Sequence, residues 1–152
     1  MSNDSALRRL ADADEVRRLI LRTWASIDRH DWDGYAAGFQ EDGVFEILGQ
    51  RRHGREEIVA GPARDLARYE HLQHLVMNEV IDVEGDEARG QWYAIAIHVP
   101  DATDIGAHAD VGLHYTFAAA RGSGGWQFTA VTVRPVWASG LPFGIVDHAS
   151  EA

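Results

Sequence analysis

The sequence predicts one α+β domain, in which helices cover one face of a strongly curved and mostly antiparallel sheet. Two patterns carry this prediction. Apolar residues in the first part of the chain recur at helical spacing, whereas four long runs after residue 70 alternate in the manner of strands. A length of 152 residues suits a single core, which we place at about 12–138, followed by a tail at 139–152. A curved sheet closed by a long helix leaves a cone-shaped cavity, which is a natural ligand site.

About three helices are predicted in the N-terminal part of the chain. Residues 1–11 are expected to be a loose lead-in, and the first helix to begin near Asp12, with Asp12 or Asp14 as its cap. A short second helix is expected at 31–39, capped by Asp31. The first helix is predicted from apolar residues at i, i+3 and i+4 spacing: Val16, Leu19, Ile20, Thr23, Trp24 and Ile27.

Three features separate the second helix from the long strands. Residues 42–48 predict a strand, and the arginine-rich segment QRRHGR predicts an exposed turn. Residues 55–69 predict a third helix, which Pro62 is expected to kink or interrupt because proline lacks the N–H that a helix interior needs.

The second half of the chain predicts an antiparallel meander. Two hairpin turns are expected, at 84–86 (EGD) and at 121–125 (RGSGG). The loop 100–107 is longer and is expected to border a site. The four strands, rich in Val, Ile, Trp, Tyr and Phe, are predicted at 71–83, 87–99, 108–120 and 126–138.

Strand alternation selects the residues that face a cavity. On 87–99 the even positions carry small residues that lead to His98, and on 71–83 His74 shares a face with Leu72, Val76 and Val80. In the first helix, Asp28 lies beside Trp24 on the flank of the apolar stripe. Each residue also has a structural interpretation, since a lone histidine on an apolar face is often a core residue and an aspartate at a helix end is often exposed.

Composition excludes several classes of function. The formal net charge of −10, with no Lys/Arg cluster, argues against a nucleic acid or an anionic membrane as partner. The absence of cysteine excludes disulfides, thiol nucleophiles and cysteine-based zinc sites, and no HExxH spacing predicts a metal site. No signal peptide or nucleotide-binding motif is present, so we expect a cytoplasmic protein without a cofactor that acts on a small molecule.

The run IDRHDWDGYAAGFQEDGVFEI, followed by HGREEI, resembles the opening of nuclear transport factor 2-like domains in their SnoaL-like branch. The resemblance extends over roughly residues 12–137. It implies a cone built from a curved sheet and about three N-terminal helices. It says less about function, because this fold hosts isomerases, dehydratases, cyclases, epoxide hydrolases and binding proteins without catalytic activity.

Four segments, SIDRHDWD, LQHLV, IAIHVP and HADVGLHYTF, resemble scytalone dehydratase and in part hexachlorocyclohexane dehydrochlorinase. The resemblance implies an acid–base pair of Asp28 and His74 and a second active-site histidine, His98. It places Asp110 where scytalone dehydratase has a serine, and it makes Trp24 a residue of the pocket wall.

The same resemblance also shows departures at the substrate-recognition positions. Ile27 and Ile47 stand where scytalone dehydratase has two tyrosines, and Gly112 stands where it has an asparagine. The substrate is therefore expected to differ from scytalone.

These residues predict elimination without a cofactor, as in a dehydratase, from a small cyclic or polyketide-like substrate. His74 would remove a C–H proton, Asp28 would orient it, and His98, steered by Asp110, would act as acid or hydrogen-bond donor. Further pocket walls are expected from Trp92 and Tyr115, and Arg134 would face either a polar group or solvent.

Two alternative functions stay open at this point. One is a double-bond isomerase or cyclase that uses the same pair, and the other is a binding or assembly domain without catalysis. The second requires that Asp28 and His74 lie more than about 4 Å apart, or that side chains fill the cavity. A homo-oligomer is expected, with a trimer favoured over a dimer, and the apolar start of the tail is expected to cover a pocket or contact a neighbour.

Overall fold

The computed structural model describes residues 3–142, and these form three helices and one six-stranded sheet. The helices are α1 (Asn3–Asp28), α2 (Trp32–Ala37) and α3 (Gly54–Asp65). The strands are β1 (Phe39–Ile47), β2 (Gln50–His53), β3 (His71–Glu84), β4 (Glu87–Val99), β5 (Ala109–Gly122) and β6 (Gly125–Gly140). Most of the predicted tail, from residue 143 onwards, lies outside the described residues.

The sheet has the order β2-β1-β6-β5-β4-β3, and every neighbouring pair is antiparallel except β1 with β6. The predicted α+β fold is confirmed, with helices on one face of a mostly antiparallel sheet. The four long strands begin and end within two residues of their predicted limits. None of the helices in the described part of the chain is long and apolar enough to cross a bilayer.

Helix α1 is longer than predicted, and the expected lead-in at 1–11 is wrong. The helix already includes Asn3, so neither Asp12 nor Asp14 is its cap. Instead, the carboxylate of Asp12 forms an ion pair with the guanidinium of Arg121 on β5, at 2.8 Å. The first turns carry good helix formers such as Ala, Leu and Arg, so intrinsic propensity extends the helix beyond the residues that the core buries.

The short helix α2 follows α1 through a tight connection, as predicted. Asp31 caps it, since its side-chain Oδ1 accepts a hydrogen bond from the backbone N–H of Gly34 at 2.9 Å. The cap sets the direction of the helix and buries Tyr35 against the core. The side chains of Asp31 and Asp33 are both exposed.

The segment QRRHGR is not only a turn, because its first four residues form β2 and pair with β1. Leu48 and Gly49 connect the two strands with φ values of 51° and 75°, the combination that a tight hairpin requires. The strand escaped prediction because its residues are mostly charged and exposed. Two of its side chains, Gln50 and Arg52, line the internal cavity, and Arg52 is only 17% exposed.

Helix α3 ends at Asp65, four residues earlier than predicted. Pro62 lies inside it without ending it, and the backbone N–H of Leu66 closes the helix on the Pro62 carbonyl at 2.9 Å. The early end turns the chain towards β3, so that Tyr69 packs inside the domain.

An irregularity in β3 changes which side chains face inward. The register with β4 shifts between Met77 and Val80, and Asn78 has a φ of 56°. Val80 is 49% exposed, so the prediction that it shares the face of His74 is wrong. Opposite the shift, a Cβ at Gly90 would collide with the Val80 carbonyl, which explains the glycine. A bulge of this kind bends the sheet strongly at this point.

The core is built around Trp24 of α1. Its ring packs edge-to-face against Tyr35, Trp92, Tyr115 and Phe128, with centroid distances between 4.9 and 6.2 Å. This aromatic cluster fills the closed end of the curved sheet. Beyond it, β4 presents Ala94 and Ala96, whose small side chains leave the other end open.

Candidate active site

A cavity of about 480 Å³ lies between the three helices and the inner face of the sheet. This volume lies within the range of small-molecule sites, roughly 300–1,000 Å³. Most of the lining residues are apolar, and α1, β1 and β5 supply many of them: Trp24, Ile27, Phe45, Ile47, Val111 and Leu113. Two histidines, His74 and His98, also line it.

Asp28 and His74 meet at the edge of the cavity. The Nδ1 atom of His74 lies 2.6 Å from Oδ1 of Asp28, and the backbone N–H of His74 donates to Oδ2 at 3.0 Å. Since β3 is an edge strand, this N–H has no strand on that side to bond, and the carboxylate takes that place. The His74 side chain is only 6% exposed. Both carboxylate oxygens therefore hold one histidine in a single orientation.

The contact with Asp28 determines which ring nitrogen of His74 carries the proton. A carboxylate accepts hydrogen bonds, so Nδ1 of neutral His74 must be the protonated nitrogen. The other nitrogen, Nε2, then has a free lone pair and can act as a base. When Nε2 takes a proton, the adjacent carboxylate stabilises the imidazolium that forms.

His98 is the second histidine of the cavity, on the strand next to His74. The two ring centroids are 6.3 Å apart, and the His98 ring also lies 5.0 Å from the ring of Tyr69. Its Nδ1 lies 3.2 Å from the carbonyl oxygen of Ala109, which only accepts, so Nδ1 carries the proton of the neutral ring. Nε2 is then the acceptor nitrogen of the neutral ring.

The protonation of His98 supports the same conclusion. Burial lowers the pKa of His98 to about 4, and the neighbouring His74 acts in the same direction, while the Ala109 carbonyl, Asp110 and Asp28 oppose it. His98 is only 3% exposed, so the cost of charging it is not screened by solvent. At neutral pH the ring is uncharged.

This lowered pKa predicts an acid-sensitive fold. An unfolded histidine has a pKa near 6.5, so the unfolded chain binds the extra proton first as the pH falls from about 6.5 towards 4. Because of His98, the free energy of unfolding should therefore be lower by about 2–3 kcal/mol at pH 4.5 than at pH 7. Urea denaturation at pH 7 and pH 4.5 measures this loss.

The matched variants for this measurement are His98→Asn and His71→Asn. Asparagine at 98 can still donate to the Ala109 carbonyl but does not titrate, so it should remove this part of the pH dependence. His71 is exposed on β3, and its replacement should leave the pH dependence unchanged. An equal loss of stability in the wild type and in His98→Asn would contradict the assignment.

Three predicted pocket residues do not line the cavity. Asp110 pairs with Ile97 across the sheet, on the face opposite to His98, and it bonds His108 at 2.7 Å. The prediction that Asp110 steers His98 is therefore wrong in geometry. Arg134 is exposed on β6, which leaves the solvent interpretation. Trp92 is fully buried and stacks on Tyr115 at 4.6 Å, beneath the cavity wall.

The loop 100–107 does not border the cavity either. None of its residues is in the lining, and its own turns are closed locally, as where Asp101 accepts from Thr103. The backbone N–H of Ala102 is held by Glu70 at 2.6 Å, at the start of β3. The loop was predicted to border a site from its length alone.

The other predicted wall residues do line the cavity, including Trp24, Tyr115 and the two departures Ile27 and Ile47. The indole N–H of Trp24 donates to the Tyr115 hydroxyl at 3.1 Å. The departure at Gly112 has a packing reason on the other face of the sheet. A Cβ there would collide with the ring of Trp137, which covers the strand from outside.

Six polar residues of the cavity were not predicted from the sequence: Tyr35, Gln50, Arg52, Arg64, Asp65 and Arg68. Burial strongly raises the pKa values of Tyr35 and Tyr115, so both stay protonated phenols. Alternation in β2 was the available signal for Arg52, but four exposed-type residues do not predict a strand. No group of three or more His, Cys, Asp or Glu residues within 3–142 is placed to hold a metal ion.

A curved sheet closed by helices around an internal cavity defines the nuclear transport factor 2-like class, whose fold is also called cystatin-like. Within this class, the sequence profile of the SnoaL-like domain matches residues 8–132. The chain therefore belongs to the SnoaL-like domain family, as the sequence predicts. No curated protein sequence matches the chain significantly.

Three solved structures illustrate the similarity. A Novosphingobium aromaticivorans protein provisionally described as a scytalone dehydratase is 18% identical, with a TM-score of 0.78 over 93% of each chain. A provisional aromatic ring hydroxylase of the same organism is 25% identical, with a TM-score of 0.77 over 87% of this chain and 94% of that one. The hexachlorocyclohexane dehydrochlorinase of Novosphingobium barchaimii is 18% identical, with a TM-score of 0.74 over 90% and 94%.

Proposed function

We propose that the protein is a cofactor-independent lyase that catalyses elimination from a small cyclic or polyketide-like substrate. The observation that carries this proposal is the 2.6 Å contact between His74 and Asp28 inside an open cavity. Neither requirement of a binding domain without catalysis is met, because the two side chains are in contact and the cavity is not filled. The solved structures of the same fold include a provisional scytalone dehydratase and a hexachlorocyclohexane dehydrochlorinase, and both names describe eliminations.

The proposed reaction begins at Nε2 of His74. The Nε2 lone pair removes a proton from a carbon next to the carbon that bears the leaving group. The electrons of the C–H bond form the C=C bond, and the leaving group departs with its bonding pair as hydroxide or halide. Asp28 stabilises the imidazolium of His74 that has formed. The imidazolium then gives its Nε2 proton to the departing hydroxide, which is released as water.

Substrate oxygens would be held by two other groups of the cavity. The Tyr115 hydroxyl accepts from Trp24, so its own hydrogen remains for a substrate carbonyl, which makes the neighbouring C–H more acidic. His98, as an acceptor at Nε2, would bind a substrate hydroxyl. In scytalone dehydratase two tyrosines position the substrate, and this chain has Ile27 and Ile47 at those positions. Tyr115 and His98 would take over that function here.

One observation favours a second candidate, a double-bond isomerase or cyclase with the same pair. Both histidines of the cavity hold their proton at Nδ1, bonded to protein acceptors, so neither offers a proton to a leaving group in its neutral form. Isomerisation only moves a proton from one carbon to another and needs no such donor. The two reactions differ in their products, since only elimination loses water or halide.

Product analysis tests the proposal. The protein is incubated with a panel of cyclic β-hydroxy ketones, and products are identified by mass spectrometry. Loss of 18 mass units that requires the wild-type protein and is absent with His74→Ala supports elimination. Products of unchanged mass with a shifted double bond would replace elimination by isomerisation, and no turnover by any member would argue for a binding protein.

Several expectations about partners accompany this proposal. The protein would act on a small molecule without nucleic acid, membrane or cofactor, and it would form a homo-oligomer, with a trimer favoured. Exposed apolar side chains on the outer sheet face, such as Leu75, Tyr93 and Trp137, support an association of copies. Light scattering on the purified protein measures the oligomeric state.

A further inference from the structure

One side of the cavity carries positive charge that the proposed elimination does not use. Arg52, Arg64 and Arg68 line it together with a single carboxylate, Asp65, although the whole chain has a net charge of −10. We propose that the ligand of this cavity carries a carboxylate group, which Arg52 binds with the help of Tyr35. This inference names the substrate class for the proposed function, and its test needs binding alone.

The guanidinium of Arg52 is held in place by packing. It lies flat over Gly61 of α3, where any Cβ would collide with it, and its Cζ is 5.8 Å from the centre of the Phe45 ring. The side chain is only 17% exposed. A planar cation fixed between a ring and a bare backbone loses little conformational entropy when it binds a ligand.

The hydrogen-bonding capacity of Arg52 is unused. Its nearest carboxylate, Asp65, is 4.0 Å away, which is too long for a hydrogen bond. Asp65 is bound more closely by Arg64, at 2.8 Å. Within residues 3–142, the Arg52 guanidinium makes no hydrogen bond to any side chain or carbonyl. Five N–H donors in a planar fork match the two oxygens of a carboxylate, so this is the ligand group that Arg52 fits best.

Tyr35 supplies a second donor beside Arg52. Burial raises the pKa of the Tyr35 phenol, Tyr115 adds to the rise, and Arg52 is close enough to oppose it. The phenol therefore keeps its proton at neutral pH. No hydrogen bond joins its hydroxyl to another residue in the described part of the chain, although Tyr35 lines the cavity. A carboxylate at Arg52 would accept this hydrogen bond as well.

The two remaining arginines contribute less to recognition. The Arg64 side chain is 75% exposed and already paired with Asp65, so solvent weakens its attraction for a ligand. Arg68 donates to the Tyr69 hydroxyl at 3.0 Å and lies over the same ring. Both raise the local positive potential at the entrance, whereas Arg52 provides the directed contact.

Two ligands of equal shape test the proposal, 2-naphthoate and its neutral analogue 2-naphthamide. Calorimetry should show that the wild type binds the carboxylate about 10- to 100-fold more tightly, as expected for charge-assisted hydrogen bonds in a partly buried site. In Arg52→Gln the preference should fall to about threefold or less, and Arg52→Lys should keep only part of it. Arg64→Gln, the matched control, should keep the preference within about threefold.

Equal binding of the two ligands by the wild type, or a preference that survives Arg52→Gln, would overturn the proposal, as would no binding of either ligand. Circular dichroism checks that each variant is folded. If Arg52→Gln does not fold, the comparison rests on Arg52→Lys. The preference is measured from binding without turnover, so it does not depend on His74 acting as a base. A carboxylate preference without any elimination activity would therefore refute the proposed function and leave this inference standing.

Discussion

Replacement of His74 by alanine is expected to lower kcat by about 10²- to 10⁴-fold once a substrate is found, because it removes the base. The fold should be retained, since the His74 side chain contacts the cavity and Asp28 and is not part of the aromatic core. Steady-state kinetics over a range of substrate concentrations measures the effect. The KM should change little, because the base acts mainly in the transition state.

Asp28→Asn is expected to cause a similar loss through a different route. The amide of asparagine can turn its NH2 group towards Nδ1 of His74, and the ring then carries its proton on Nε2. In that tautomer the nitrogen that faces the substrate is no longer a base. The expected decrease in kcat is again about 10²- to 10⁴-fold.

The matched controls lie close to both residues in the sequence. His71→Ala removes an exposed histidine from the same strand, and Asp33→Asn removes an exposed carboxylate from the first turn of α2. Both should keep kcat within about threefold of the wild type, because they touch neither the cavity nor the proton. Unchanged rates in His74→Ala and Asp28→Asn, with product still formed, would show that another group performs the chemistry.

Trp24→Ala is expected to reduce the free energy of unfolding by about 3–5 kcal/mol, the typical cost of removing a large core side chain. Trp24 is 2% exposed and packs against four aromatic rings, so its loss would leave a void at the closed end of the cavity. A domain of this size is stable by only about 5–15 kcal/mol, so the variant should be close to unfolding at physiological temperature. Urea denaturation measures the change.

Two further tryptophan variants separate packing from hydrogen bonding. Trp24→Phe keeps an aromatic ring but loses the N–H that bonds Tyr115, and it should cost clearly less than Trp24→Ala. Trp137→Ala, on the outer face at 46% exposure, should cost less again. A similar small effect for all three would show that Trp24 does not support the core.

Much of the fold was predictable because its elements have strong local signals. Alternation in the four long strands indicated both their limits and the inward face of β4, where Ala96 and His98 line the cavity. The limits of α1, α2 and α3 were less predictable, because a helix end depends on what packs beside it. Strand β2 carries almost no apolar signal, and its pairing with β1 decides its conformation.

Part of the candidate site was also indicated by the sequence. Asp28 lies on the flank of an apolar helical stripe, and this position predicts that its side chain faces the sheet. Asp110 shows the limit of this reasoning. The resemblance to scytalone dehydratase placed Asp110 in the site, yet the strand register puts its side chain on the other face of the sheet, where it contacts His108.

By itself, the sequence determined the order of the three helices and of five of the six strands, the inward positions along each regular strand and the absence of thiol chemistry. These follow from local periodicity and from the residue types present. Tertiary structure alone fixed the 2.6 Å contact between Asp28 and His74, which are 46 positions apart, and the bulge that turns Val80 outward. It also decided that Arg52 enters the cavity with unused donors. Each of these depends on how separate elements pack in space, and no local pattern encodes that distance.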